Sequence, residues 1–123
     1  MTKNGWIGVD LDGTLAEYDH WRGIEHIGAP IPAMVRRVKR WLAEGKDVRI
    51  FTARVAERNH RRKLLATHAI VRWCEQHIGQ PLAVTNVKDF GMVELWDDRA
   101  VQVERNTGRR MDGHPEPHAE ATP

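Results

Sequence analysis

Residues 9–14 read Val-Asp-Leu-Asp-Gly-Thr, behind the apolar lead-in Trp6-Ile7-Gly8. Side chains alternate along a strand, so Asp10 and Asp12 leave its end on the same side. Two carboxylates held together repel unless a cation neutralises them. The spacing therefore implies a metal, a shared proton or an unusual turn. Further polar groups follow apolar runs later in the chain: Thr52 after Val48–Phe51, Lys88 after Leu82–Val84, and Asp97-Asp98 after Met92–Trp96.

Each type has a role in phosphate chemistry. A carboxylate such as Asp10 can attack phosphorus and form an aspartyl-phosphate. Mg²⁺ takes oxygen ligands, usually one or two carboxylates with phosphate and water, and offsets repulsion between an anionic nucleophile and an anionic substrate. A second carboxylate outside the metal shell, Asp12, can protonate the leaving oxygen and later activate water. A hydroxyl and an ammonium, Thr52 and Lys88, suit the charge spread over transferring phosphoryl oxygens. Gly13 permits a tight turn away from the strand. Arg54, two residues beyond Thr52, carries a planar guanidinium able to take a phosphate oxygen pair.

The elements that would position these groups alternate. Trp6–Leu11 reads as a buried strand and 12–29 as a loop. Pro30 and Pro32 open a helix whose apolar face is Ile31, Met34, Val35, Val38 and Leu42, ending near Gly45. Val48–Phe51 is a second strand. A long helix is expected over Glu57–His77, with Leu64, Leu65, Val71, Cys74 and Ile78 inward. Leu82–Val84 and Met92–Trp96 complete four strands, and Val101–Val103 offers a short fifth. Strands alternating with helices predict an α/β fold: a Rossmann-like parallel sheet of 4-5 strands flanked by helices. In such sheets ligands bind beyond the carboxyl ends of the strands, where all the singled-out groups fall.

With the motifs in order, the chain resembles the haloacid-dehalogenase superfamily. Val-Asp-Leu-Asp-Gly-Thr is similar to its first motif and Arg-Ile-Phe-Thr-Ala-Arg to the second. Asn-Val-Lys-Asp and Glu-Leu-Trp-Asp-Asp are similar to the third and fourth. The resemblance covers residues 5 to about 105. It implies that Asp10 is nucleophile and Mg²⁺ ligand, and that Asp12 is the general acid/base whose carbonyl also binds the metal. Thr52 and Lys88 would bind the phosphoryl group with Gly13, Thr14 and Arg54 on the substrate, and Asp97 and Asp98 would complete the metal site, Asp98 in the closer role. Asp12 favours phosphatase chemistry over the dehalogenase branch. The short interval between Val84 and Asp97 departs from the family pattern, leaving the intervening helix short or absent and the placement of Lys88 open. Leu15–Ile27 is long enough for a flap carrying His20, Trp21 and His26, and there is no room for a cap domain. The resemblance is to small capless members found among bacterial and bacteriophage proteins.

Length and composition bound these expectations. At 123 residues the chain is expected to form one core over 1–105, with a disordered tail over 106–123. Hydrophobic residues are 41% and charged residues 29%, ordinary for a soluble protein. No apolar run approaches the roughly 20 residues that span a bilayer, and the start lacks a secretory apolar segment. Cys74 is the single cysteine, which fits a cytoplasmic setting and reads as a core residue. A formal charge of +2 does not by itself argue for nucleic acid. The expected activity is therefore a Mg²⁺-dependent phosphohydrolase. Its partner would be a phosphorylated small molecule, a nucleotide or a nucleic-acid end, with oligomerisation left open. The Thr-Ala-Arg stretch is also similar to the phosphatase domains of polynucleotide kinase-phosphatases. The rival reading is a non-catalytic module that binds nucleic acid or protein through the basic start of the second helix. Taken singly, each residue also has a plain explanation: Asp-Gly as a turn, Thr52 as a strand end, Lys88 as a solvated loop lysine.

Overall fold

The computed structural model describes residues 5–114. β1 (Trp6–Val9), β2 (Asp47–Phe51), β3 (Ala83–Thr85) and β4 (Met92–Trp96) form one 4-stranded sheet, in the order β3-β2-β1-β4. Every pairing is parallel, with Ile7 beside Val48, Val9 beside Ile50, and Val9 beside Trp96. The result is a Rossmann-like α/β core with no cap domain among the described residues. The possible fifth strand does not join the sheet. Val103 instead makes a single antiparallel bridge to Arg110 across a turn, so residues from 106 to His114 are described, and the rest of the expected tail lies outside the described residues.

α1 (Pro32–Ala43) starts on a proline at its first turn, which gives up an N–H that a helix cannot use there. Its buried residues Met34, Val38 and Trp41 recur at helical spacing. α2 (His60–His77) begins three residues later than the sequence suggests because Asn59 caps it, its side chain accepting from the Arg62 N–H at 2.9 Å. Its inner face is Ala66, Ile70, Trp73 and Cys74, so the expected inward Leu64 and Leu65 are exposed. The leucines precede that stripe by a fraction of a turn, and side-chain hydrophobicity alone does not set the rotation of a helix against its sheet. Burial pushes the Cys74 thiol up to about 12, which suits an inert core residue.

Both crossovers advance the same way along the sheet, so right-handedness lays α1 and α2 on one face, over Ile7, Val9, Val48 and Ile50. On the other face side chains do the covering. The Trp6 ring is 2% exposed, with the Arg49 guanidinium 4.6 Å above its centroid and Phe51 alongside at 6.5 Å. Segment 86–91 carries the chain from one sheet edge to the other without a helix.

The stretch after β1 is partly core. Leu15 and Ala16 are fully buried, and Ala16 bridges Pro30, so the projecting flap is shorter than Leu15–Ile27. Its base is tied down by Glu17 N–H to the Ala29 carbonyl at 2.8 Å, and by the Trp73 indole N–H to the Gly28 carbonyl at 3.0 Å. Trp73→Phe loses that hydrogen bond and part of the buried ring. Urea unfolding should show a loss of about 1 kcal/mol or more. Limited proteolysis should show faster cutting within 17–30, and unchanged cutting there would remove the anchoring role from Trp73.

Candidate functional site

β1 and β4 together deliver the acidic groups. The β1–β4 ladder continues past the strand, with the Asp10 N–H donating to the Trp96 carbonyl at 2.9 Å, so Asp10 lies beside Asp97 and Asp98. Asp10, Asp97 and Asp98 each offer a carboxylate oxygen, and these oxygens all lie within 4.8 Å of one another. Burial, the charges of both neighbours and the Asp98 carboxyl raise Asp10 to about 7, while the Thr14 hydroxyl works against the shift. A proton on Asp10 or a cation would relieve that repulsion. An all-oxygen, carboxylate-rich donor set of this kind fits Mg²⁺, with room for substrate or water to complete the shell.

Two neighbours of Asp10 hold the group together. The Thr14 hydroxyl sits between Asp10 Oδ2 at 3.3 Å and Asp98 Oδ1 at 3.2 Å, and accepts the Asp98 backbone N–H at 2.9 Å. Thr14 thus links the loops after β1 and β4, and the substrate contact expected of it has no such support. Gly13 has φ +90, and a Cβ there would fall 2.5 Å from Asp98 Oδ2. Glycine is needed both for the turn and for the approach of Asp98.

Asp12 is separated from this group although only two residues away. Arg54 holds it in a fork, Nε to Oδ2 at 2.8 Å and Nη2 to Oδ1 at 2.9 Å. The same guanidinium donates to the carbonyls of Ile24 at 3.1 Å and His26 at 2.8 Å. It also stacks on Trp21, 4.9 Å from the ring centroid. Its side chain is only 5% exposed. The expected phosphate ligand is therefore committed to Asp12 and to the flap. Residues from the strand-2 end, the flap and the acidic loops come together only in the fold, so nothing in the local sequence signals this clamp.

Thr52 is 3% exposed and sits where expected, its N–H continuing the ladder to the Thr85 carbonyl at 2.9 Å. Its oxygen accepts from the Arg54 N–H at 3.1 Å, capping the short 3₁₀ turn Ala53–Val55. Asp10, Asp12, Thr52, Arg54, Asp97 and Asp98 all line one cleft of about 600 Å³ at the carboxyl ends of the strands. Tyr18, Trp21, Ile24, Phe51, Arg62 and Arg99 line it too; of these, Trp21 was expected in the flap and Arg62 in the basic start of the second helix. Side chains of His20 and His26 lie outside that lining.

Lys88 is a correction. It is exposed and does not line the cleft. The next residue, Asp89, accepts from the Trp6 indole at 2.9 Å and from the Gly91 N–H at 2.8 Å, at the opposite end of the sheet. Without a helix in 86–91, the chain descends directly to the start of β4 and carries Lys88 away from the site.

The acidic group predicts a pH and metal response. Between 3.8 and about 7 the folded state binds a proton on Asp10 that the unfolded state has lost, so stability falls as pH rises through that window. Chelated protein should therefore melt at lower temperature at pH 8 than at pH 5.5. The increment from Mg²⁺ should grow over the same interval, because the metal takes the ionised carboxylates. Asp10→Asn should weaken both trends and melt above the unsubstituted protein at pH 8 in chelator. A flat, Mg²⁺-insensitive profile by differential scanning fluorimetry would contradict the charge crowding described.

No family model matches the chain, and no curated protein matches it. Among solved structures it is similar to a conserved protein from Bacteroides thetaiotaomicron, at 25% identity and a TM-score of 0.57, over 80% of this chain and 79% of that one. The chain thus shares its parallel α/β architecture with a bacterial protein of comparable extent.

Proposed function

We propose that the chain is a Mg²⁺-dependent phosphohydrolase of the haloacid-dehalogenase type, acting on phosphomonoesters. The observation that carries the reading is the convergence of Asp10, Asp97 and Asp98 within 4.8 Å, in the same cleft as Thr52 and Asp12. Structural cation sites share the first feature. They have no need of a buried hydroxyl and a second, separately held carboxylate around an open cleft.

Asp10, Asp97 and Asp98 would hold the ion. When bound, Mg²⁺ offsets the carboxylate charge and that of the phosphoryl oxygens. An Asp10 oxygen attacks phosphorus as the bond to the leaving oxygen breaks, giving an aspartyl-phosphate and an alkoxide. Asp12, entering the cycle protonated and with one oxygen released from the Arg54 fork, supplies the proton to that oxygen, then takes one from the water that attacks phosphorus and releases Asp10. Arg54 fixes the direction in which Asp12 points. Because the Thr52 oxygen already accepts from Arg54 N–H, its hydroxyl hydrogen is the group it presents to a phosphoryl oxygen.

Phosphate release from an aryl phosphate with Mg²⁺ tests the proposal. Asp10→Asn should abolish release, and Thr52→Val should lower kcat by about 10²-fold, the scale for one transition-state donor. Lys88→Ala should leave the rate unchanged. An inert protein across a broad phosphoester panel, or an active Asp10→Asn, would sink the reading. Salt-sensitive binding of nucleic acid in chelator without turnover would replace it with the binding-module alternative.

A further inference from the structure

The Arg54 clamp has a second product besides a fixed Asp12. Trp21 lies on the guanidinium, and four hydrogen bonds hold that guanidinium still. A tryptophan 51% exposed on a surface loop would ordinarily be free to reorient; this one is braced from beneath at the mouth of the cleft that holds Asp10. Tyr18, 49% exposed, lines the same cleft from the same flap. Exposed aromatic area fixed in place beside a reactive carboxylate is a preformed stacking surface, with little ordering entropy left to lose when a ring arrives.

Charge supports a ligand with a phosphate at one end. Of the arginines lining the cleft, Arg54 is paired with Asp12 and Arg62 with Glu57. Arg99, next to the acidic pair, has no side-chain partner among the described residues, so it is the cation left to meet an anion. At about 600 Å³ the cleft falls in the range that encloses a small molecule with both parts.

We infer that the site takes a nucleoside monophosphate, its base stacked on Trp21 and its phosphate at Asp10. This rests on the phosphohydrolase reading and adds the substrate class. Arg54 acts as a positioning residue, bracing the platform while it orients Asp12. A sugar phosphate would gain the phosphate contacts alone.

Binding can be measured apart from turnover by calorimetry on Asp10→Asn protein in Mg²⁺, with adenosine 5′-monophosphate and ribose 5-phosphate as probes. The nucleotide should bind about tenfold tighter, the scale of one base–aromatic stack. Adding Trp21→Ala should erase the difference, and Trp21→Phe should restore most of it. Equal affinities, a preference that survives Trp21→Ala, or no binding of either probe would overturn the inference. Phosphate release by the unsubstituted protein separates the two ideas. Base-dependent binding with no release upholds the stacking site and sinks the catalytic reading. Release without base preference does the reverse.

Discussion

Like charges brought to one point constrain this molecule more than any other interaction. The β1–β4 register sets Asp10 beside Asp97 and Asp98, and burial raises the cost of their shared charge. An apolar sheet end could be closed by almost any turn. This one requires a residue without a side chain at Gly13 and a hydroxyl at Thr14 to bridge the two acidic loops. The fold tolerates the repulsion because the rest of the sheet end is well bonded and because Asp10 holds a proton up to about pH 7.

Charge elsewhere in the cleft is balanced within the protein. Asp12 is answered by Arg54 and Glu57 by Arg62, so the uncompensated acidity is confined to the group around Asp10. Two aspartates from one short motif thereby have different partners and chemistry. Through Ile24, His26 and Trp21, the same arginine fixes how the flap lies over the site. Among the described residues, that flap and the Trp73 anchor beneath it provide the cover the site has.

The economy of the fold has a consequence at its far edge. Segment 86–91 crosses between outer strands without a helix, so the second face of the sheet relies on Trp6, Arg49 and Phe51 for covering. The crossing also takes Lys88 from the carboxyl ends of the strands to their starts. Of the three arginines that line the cleft, Arg99 is the one without a side-chain partner among the described residues.

Local patterns in the sequence determined most of the architecture. Apolar runs separated by helical periodicity give the parallel α/β order, Pro32 and Gly45 bound α1, and acidic or hydroxyl residues directly after strands fall at one sheet edge. These are legible because each depends on a few neighbouring residues and on the rule that parallel strands present their ends together. The inward face of α2 was misread at Leu64 and Leu65, since rotation is settled by what Trp73 and Ile70 pack against. Lys88 was misplaced because a motif states residue order and not the path of the chain between strands. Arg54 was read as a ligand because a guanidinium fits phosphate and carboxylate equally well. Only the tertiary structure, which brings Asp12 and two flap carbonyls within reach of that one side chain, decided which partner it has.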